Sequence, residues 1–83
     1  MTYDVSFGKD AVQELLVIIG ESDDDLPILV ALQRIRSFLE NDPSGSGVEL
    51  SEGLFYVDYE PLRAFFTIYE EFQVVEVSDF RRI

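Results

Sequence analysis

The sequence predicts an α+β domain in the order β-α-α-β-β-β, with two N-terminal helices packed on one face of an antiparallel sheet. Three observations carry that prediction. Hydrophobic residues recur with a period of two at both ends of the chain and with helical spacing between them. Two turns in the C-terminal half sort the same side chains onto the same face. The 83 residues suit one domain, 1–83, and 47% hydrophobic with 13% aromatic content is enough to fill one core.

The first strand is "TYDVSF", where Tyr3, Val5 and Phe7 alternate with Asp4 and Ser6. "GKDAVQELLVIIG" then changes period. Val12, Leu15, Leu16 and Ile19 recur at helical spacing, and Gly20 is a natural stop. "ESDDDLPILVALQRIRSFLENDP" is the second helix. Ser22, Asp23, Asp24 and Asp25 offer acceptors and negative charge to its N-terminus, and Pro27 is tolerated only in the first turn. Ile28, Leu32, Ile35 and Leu39 form its apolar stripe, widened by Leu29 and Phe38. Asn41-Asp42-Pro43 ends it, and "SGSG" reads as a loop.

From Leu50 onward, "LFYVD", "PLRAFFTIY" and "FQVVEVSDF" read as strands. Taking Glu70-Glu71 as a two-residue turn sets Tyr69 opposite Phe72, Phe66 opposite Val75 and Ala64 opposite Val77. Taking Tyr59-Glu60 likewise sets Asp58 opposite Pro61, Val57 opposite Leu62 and Phe55 opposite Ala64. One face is then apolar and meets the helices. The open face carries Leu54, Tyr56, Asp58, Arg63, Phe65, Thr67, Val74, Glu76 and Ser78. Leu54, Tyr56 and Phe65 on adjacent strands make it apolar for a solvent surface, which marks it as a partner surface. Arg63 stands on it beside Tyr56, within reach of Asp58 and Glu76.

Net charge is -11, from 17 acidic and 6 basic residues. Phosphate backbones and anionic membranes are therefore disfavoured partners, and a basic protein is favoured. With no cysteine or histidine, disulfides, thiolate nucleophiles, imidazole bases and the usual zinc ligands are excluded. No metal site and no cofactor is expected. "SDDDLP" lacks the alternating oxygens and the glycine of a calcium loop, so helix capping explains it. Arg34 and Arg36 are expected to pair with acidic neighbours such as Glu40. No apolar run reaches membrane-spanning length, and no basic-then-apolar leader is visible, so a cytoplasmic protein is the expectation.

The element order and the run "PLRAFFTIYEEFQVVEVSDFRR" resemble the RelE/ParE superfamily of bacterial toxin–antitoxin systems. There a strand of the type "LRvfYtI" precedes a turn, a "vveV" strand and one or two basic residues. "TYDVSFGKDAVQELL" is similar to the family's opening strand and first helix. The resemblance implies an antitoxin partner wrapped on the surface, here one of basic character. It also implies one of two activities: ribosome-dependent mRNA cleavage, or action on another target without cleavage. Carried over by position, the strand arginine is Arg63 and the basic residue after the last strand is Arg81 or Arg82. These are the catalytic candidates, Arg63 and Arg81. The partner-binding candidates are Leu54, Tyr56, Arg63, Phe65 and Arg82.

Where cleaving members carry lysines, this chain has "GVELSEG", with Glu49 and Glu52, and their terminal tyrosine or histidine finds no counterpart. Cleavage by 2′-hydroxyl attack needs proton transfer, and arginines stay charged near neutral pH. Tyr56, with an ordinary pKa of about 10, is a weak substitute. The residues thus point to a toxin-fold protein acting through protein contacts. The alternatives are an endoribonuclease using Arg63 and Arg81, touching nucleic acid only through the ribosome, and a homodimeric scaffold.

Overall fold

The computed structural model describes residues 2–83. Strand β1 (Asp4–Phe7) leads into helix α1 (Lys9–Gly20), then α2 (Leu26–Asn41), the single-turn α3 (Pro43–Ser46) and β2 (Val48–Ser51). Strands β3 (Leu54–Tyr59), β4 (Leu62–Tyr69) and β5 (Val74–Arg82) follow, the last two joined by a 3-10 turn over Glu70–Phe72. All five strands form one sheet in the order β1-β5-β4-β3-β2.

The expected α+β layering is present, with three corrections. The sheet is mixed, because β1 runs parallel to β5 from Asp4 opposite Val74 to Phe7 opposite Val77. A parallel partner needs a long crossover, and the helical layer belongs to that crossover. The "SGSG" segment is not an open loop but largely α3, whose start is fixed by Asp42 Oδ1 accepting the Gly45 N–H at 3.1 Å. "VELS" forms the additional edge strand β2, turned back at Glu52-Gly53, where Gly53 takes φ 81.

Hydrophobic burial explains the layering. Ile28, Ala31, Ile35 and Leu39 of α2 and Ala11 and Ile18 of α1 are buried against Val57, Leu62, Ala64, Phe66, Val75, Val77 and Phe80. Phe66 sits in this core with no exposed surface, stacked on Phe55 at 5.5 Å between ring centroids. The α2 stripe matches its spacing except that Leu29 points to solvent. On α1 the buried side is rotated. Ala11 and Ile18 take the core, whereas Val12 and Leu16 are exposed, Leu16 at 62%. The α1 sequence is apolar almost all round, so spacing alone does not choose its face.

The hairpins keep their facing pattern but not their pairing. Tyr59 stands opposite Leu62, so the turn is Glu60-Pro61, joined by a cis peptide bond. Tyr69 stands opposite Val74, because Glu70–Phe72 form a 3-10 turn and Gln73 takes the left-handed conformation at φ 53. Next to their turns both pairings move by two residues, which leaves the side chains there on their expected faces. β5 then breaks its own alternation. Phe66 pairs with Val77 while Phe65 pairs with Asp79, leaving Ser78 as a bulge residue. The Ser78 hydroxyl donates to the Phe65 carbonyl at 3.3 Å.

Candidate functional site

The bulge decides what the open face contains. Strict alternation along β5 would send Phe80 and Arg82 outward and Arg81 toward the helices. One extra residue reverses all three: Phe80 enters the core, Arg81 stands opposite Arg63, and Arg82 stands opposite the buried Leu62. The break was visible in the spacing, since core residues Val75 and Val77 are followed by Phe80 rather than by a hydrophobic at 79.

On the open face, β3 and β4 bring Tyr56 opposite Phe65 and Asp58 opposite Arg63. The Arg63 guanidinium lies 4.3 Å from the centre of the Tyr56 ring, and that of Arg81 lies 5.5 Å from the centre of Phe65. The two rings are tilted neighbours at 6.4 Å. Leu54 lies opposite Thr67 on the same face, and Val48 of β2 extends it beyond Tyr56. The site residues Leu54, Tyr56, Arg63 and Phe65 are thus gathered together, each half-buried, and Arg81 joins them. Arg82 does not. It lines a cleft at the other side of the sheet with Asp23, Asp24, Pro27, Glu60 and Pro61, so the partner-binding set loses it as a neighbour of the other four.

Arg63 is tied down in the plane of its guanidinium. Its Nε donates to Asp58 Oδ1 at 2.7 Å and its Nη2 to Oδ2 at 2.9 Å, a bidentate pair. These hydrogen bonds hold the Asp58 carboxyl below the usual carboxylate range, against a smaller upward push from burial. Because the folded state lowers this pKa, the pair's stabilisation is complete at neutral pH and disappears as pH falls through the folded value. The urea midpoint of the wild type should exceed that of Asp58→Asn at pH 7. The gap should begin to shrink below about pH 4, near the unfolded carboxylate pKa, and vanish only below the lowered folded value; an unchanged gap in strong acid would remove the pair as its source.

Other charges follow their expected local logic. Arg36 approaches Glu40 at 3.6 Å, one helical turn away and exposed, whereas Arg34 has no carboxylate within 4.0 Å among the described residues. At the far end, the Tyr3 hydroxyl donates to Glu70 Oε2 at 2.8 Å, linking β1 to the 3-10 turn. Among the described residues no group of histidine, cysteine or carboxylate side chains is arranged to hold a metal. Among the described residues no helix is long and apolar enough to cross a membrane.

Sequence reasoning missed a second apolar surface. Leu16 and Val12 of α1 and Leu26, Leu29 and Val30 of α2 are exposed on the helical layer, and a shallow groove there has Phe7, Leu29 and Leu32 in its lining. The signal was present in the all-round apolarity of α1 and in the run "LPILVAL".

No family model matches the chain, and no curated protein sequence matches it. Solved structures do. A chain of the toxin–antitoxin complex RelBE2 from Mycobacterium tuberculosis superposes with a TM-score of 0.73 at 20% identity, covering 100% of both chains. The archaeal RelE–RelB complex from Pyrococcus horikoshii gives 0.72 at 17% identity, over 99% of this chain and 96% of that one. A mutant of the E. coli toxin RelE in the free state gives 0.73 at 14% identity, over 99% and 84%.

Proposed function

From the fold those RelE structures share with this chain, we propose that it is the toxin-fold member of a toxin–antitoxin type pair. It acts through protein–protein contacts and does not cleave RNA. Two of the neighbours are complexes of a toxin with its antitoxin, which supports an antitoxin-like partner here. The single observation behind the non-cleaving reading is the Asp58–Arg63 pair. A guanidinium whose Nε and Nη2 already serve a carboxylate at 2.7 and 2.9 Å is poorly placed to gather a scissile phosphate. That leaves Arg81 as the open-face cation without a carboxylate within 4.0 Å among the described residues.

The net charge of -11 gives the partner its chemistry. A basic, amphipathic segment would be drawn to this surface at long range and would lay its apolar side on Leu54, Tyr56 and Phe65. Induced expression in a bacterial host, followed by growth and by primer extension on translated messages, tests the reading. Transcripts should stay intact, and Arg63→Ala should leave their pattern unchanged. New cleavage ends that vanish in Arg63→Ala would establish the endoribonuclease instead.

A further inference from the structure

We infer that the outward stripe of α2 is a homodimer interface, where two copies of the chain pair their α2 helices antiparallel about Val30. This stands apart from the reading above, which concerns the open face of the sheet.

Helix α2 carries two stripes, and the sheet covers only one. Ile28, Ala31, Ile35 and Leu39 are fully buried against it. On the opposite side, at the four- and three-residue steps of a coiled-coil seam, lie Leu26, Val30, Gln33 and Ser37. Leu26 is 64% exposed and Val30 42%, with Leu29 beside them at 48%. Val30, Gln33, Arg34 and Ser37 line a shallow depression there. A solvated helix face is ordinarily polar, so large side chains at its most outward positions mark a contact.

Charge selects a second copy as the occupant and sets its direction. In a chain of net charge -11, α2 holds two arginines, Arg34 and Arg36, against one glutamate, Glu40. A basic partner therefore gains nothing along this helix, whereas a second acidic chain meets little repulsion, because charges beyond about 8 Å are screened at physiological salt. Just ahead of the helix stand Asp23, Asp24 and Asp25, all exposed. Parallel pairing would set the two aspartate runs side by side. Antiparallel pairing sets each against the other copy's arginines. About a two-fold axis at Val30, residues whose numbers sum to about 60 stand level. Arg34 and Arg36 of one copy then come level with Leu26 and Asp24 of the other, within a turn of its Asp23 and Asp25. Leu26 gains the aliphatic stem of Arg34 as its cover. Arg34 is available for this. It has no carboxylate within 4.0 Å among the described residues, and none lies three or four places from it along α2.

Area sets the strength. The 16 residues of α2 make a face about 24 Å long. Two such faces bury on the order of 1,000 Å² in total, below the ~1,600 Å² of a standard interface. The dimer is therefore reversible, with a Kd on the order of 10–100 μM.

Sedimentation equilibrium of the full chain, from about tenfold below to about tenfold above that range, should show monomer passing to dimer. Val30→Asp sets two carboxylates face to face on the axis and should abolish the dimer while circular dichroism stays unchanged. Arg34→Glu should weaken it at least about tenfold, and Lys9→Glu, the same change in net charge placed on α1, by less than about twofold. Because the chain has no cysteine, Val30→Cys should yield a covalent dimer on mild oxidation, far faster than Leu16→Cys. Helix axes about 8–10 Å apart bring a residue on the axis within disulfide reach of itself. This measurement holds even if Val30→Asp folds poorly. A chain that stays monomeric throughout overturns the inference and leaves the stripe to a different protein. So does a dimer that survives Val30→Asp but is lost in Phe65→Asp, which would place it on the sheet. Equal weakening by Arg34→Glu and Lys9→Glu, or equal cross-linking at positions 30 and 16, overturns it too. None of these outcomes bears on whether an antitoxin-like partner binds the sheet.

Discussion

Phe66→Ala should cost about 3–5 kcal/mol, the usual range for removing a large aromatic from a packed core. Phe66 has no exposed surface, stacks on Phe55 at 5.5 Å, and belongs to the strand that pairs with both β3 and β5. Few neighbours are free to collapse into the space it would leave, because Ala64, Val75, Val77 and Leu39 are themselves fully buried. Small domains hold only about 5–15 kcal/mol in total and this one belongs at the lower end, so the variant should be largely unfolded at modest urea. Circular dichroism against urea measures it. A midpoint close to wild type would mean that the ring is not the centre of the core.

The second large effect comes from adding a single methyl group. At Gly47, between α3 and β2, an added Cβ would lie 2.6 Å from Phe66 Cζ and 3.1 Å from the Tyr56 backbone oxygen. Gly47 has φ -105, which any residue adopts, so the requirement for glycine there is one of space and not of backbone angle. Gly47→Ala should therefore cost about 1–3 kcal/mol as overpacking. Shortening the obstructing ring tests the cause. The penalty of Gly47→Ala/Phe66→Leu should fall short of the sum of the two single penalties by at least about 0.5 kcal/mol, the coupling expected of residues in contact. Strict additivity in a double-mutant cycle would show that the strain lies elsewhere.

How much of this was legible depended on which quantity each signal fixes. Alternation fixes faces, and faces survive a shift of two. Tyr56, Arg63 and Phe65 therefore came out on the open side although both turns were placed wrongly. The true turns, Glu60-Pro61 and the Glu70–Phe72 helix, lack the Asn-Gly type of sequence that announces a hairpin. Alternation does not separate Arg82 from the open-face residues, because a bulge acts on one strand and is invisible to alternation read across two. The only clue was the three-residue step from Val77 to Phe80. β2 was overlooked because Val48 and Leu50 are both exposed on an edge strand, so its short alternation serves pairing more than burial. The parallel seat of β1 had no local signal, since it depends on a partner far along the chain.

That seat has a kinetic consequence. Asp4 pairs with Val74, 70 positions later, so β1 acquires its ladder only after the last strand is in place. Closing so long a segment costs on the order of 4 kcal/mol of chain entropy before any contact repays it. A nascent chain still lacking β5 has nowhere to dock its opening strand, and the α1 side chains that rest on β5 stay wet. Productive folding should then await the appearance of β5, leaving an interval in which a binding protein meets an unassembled polypeptide.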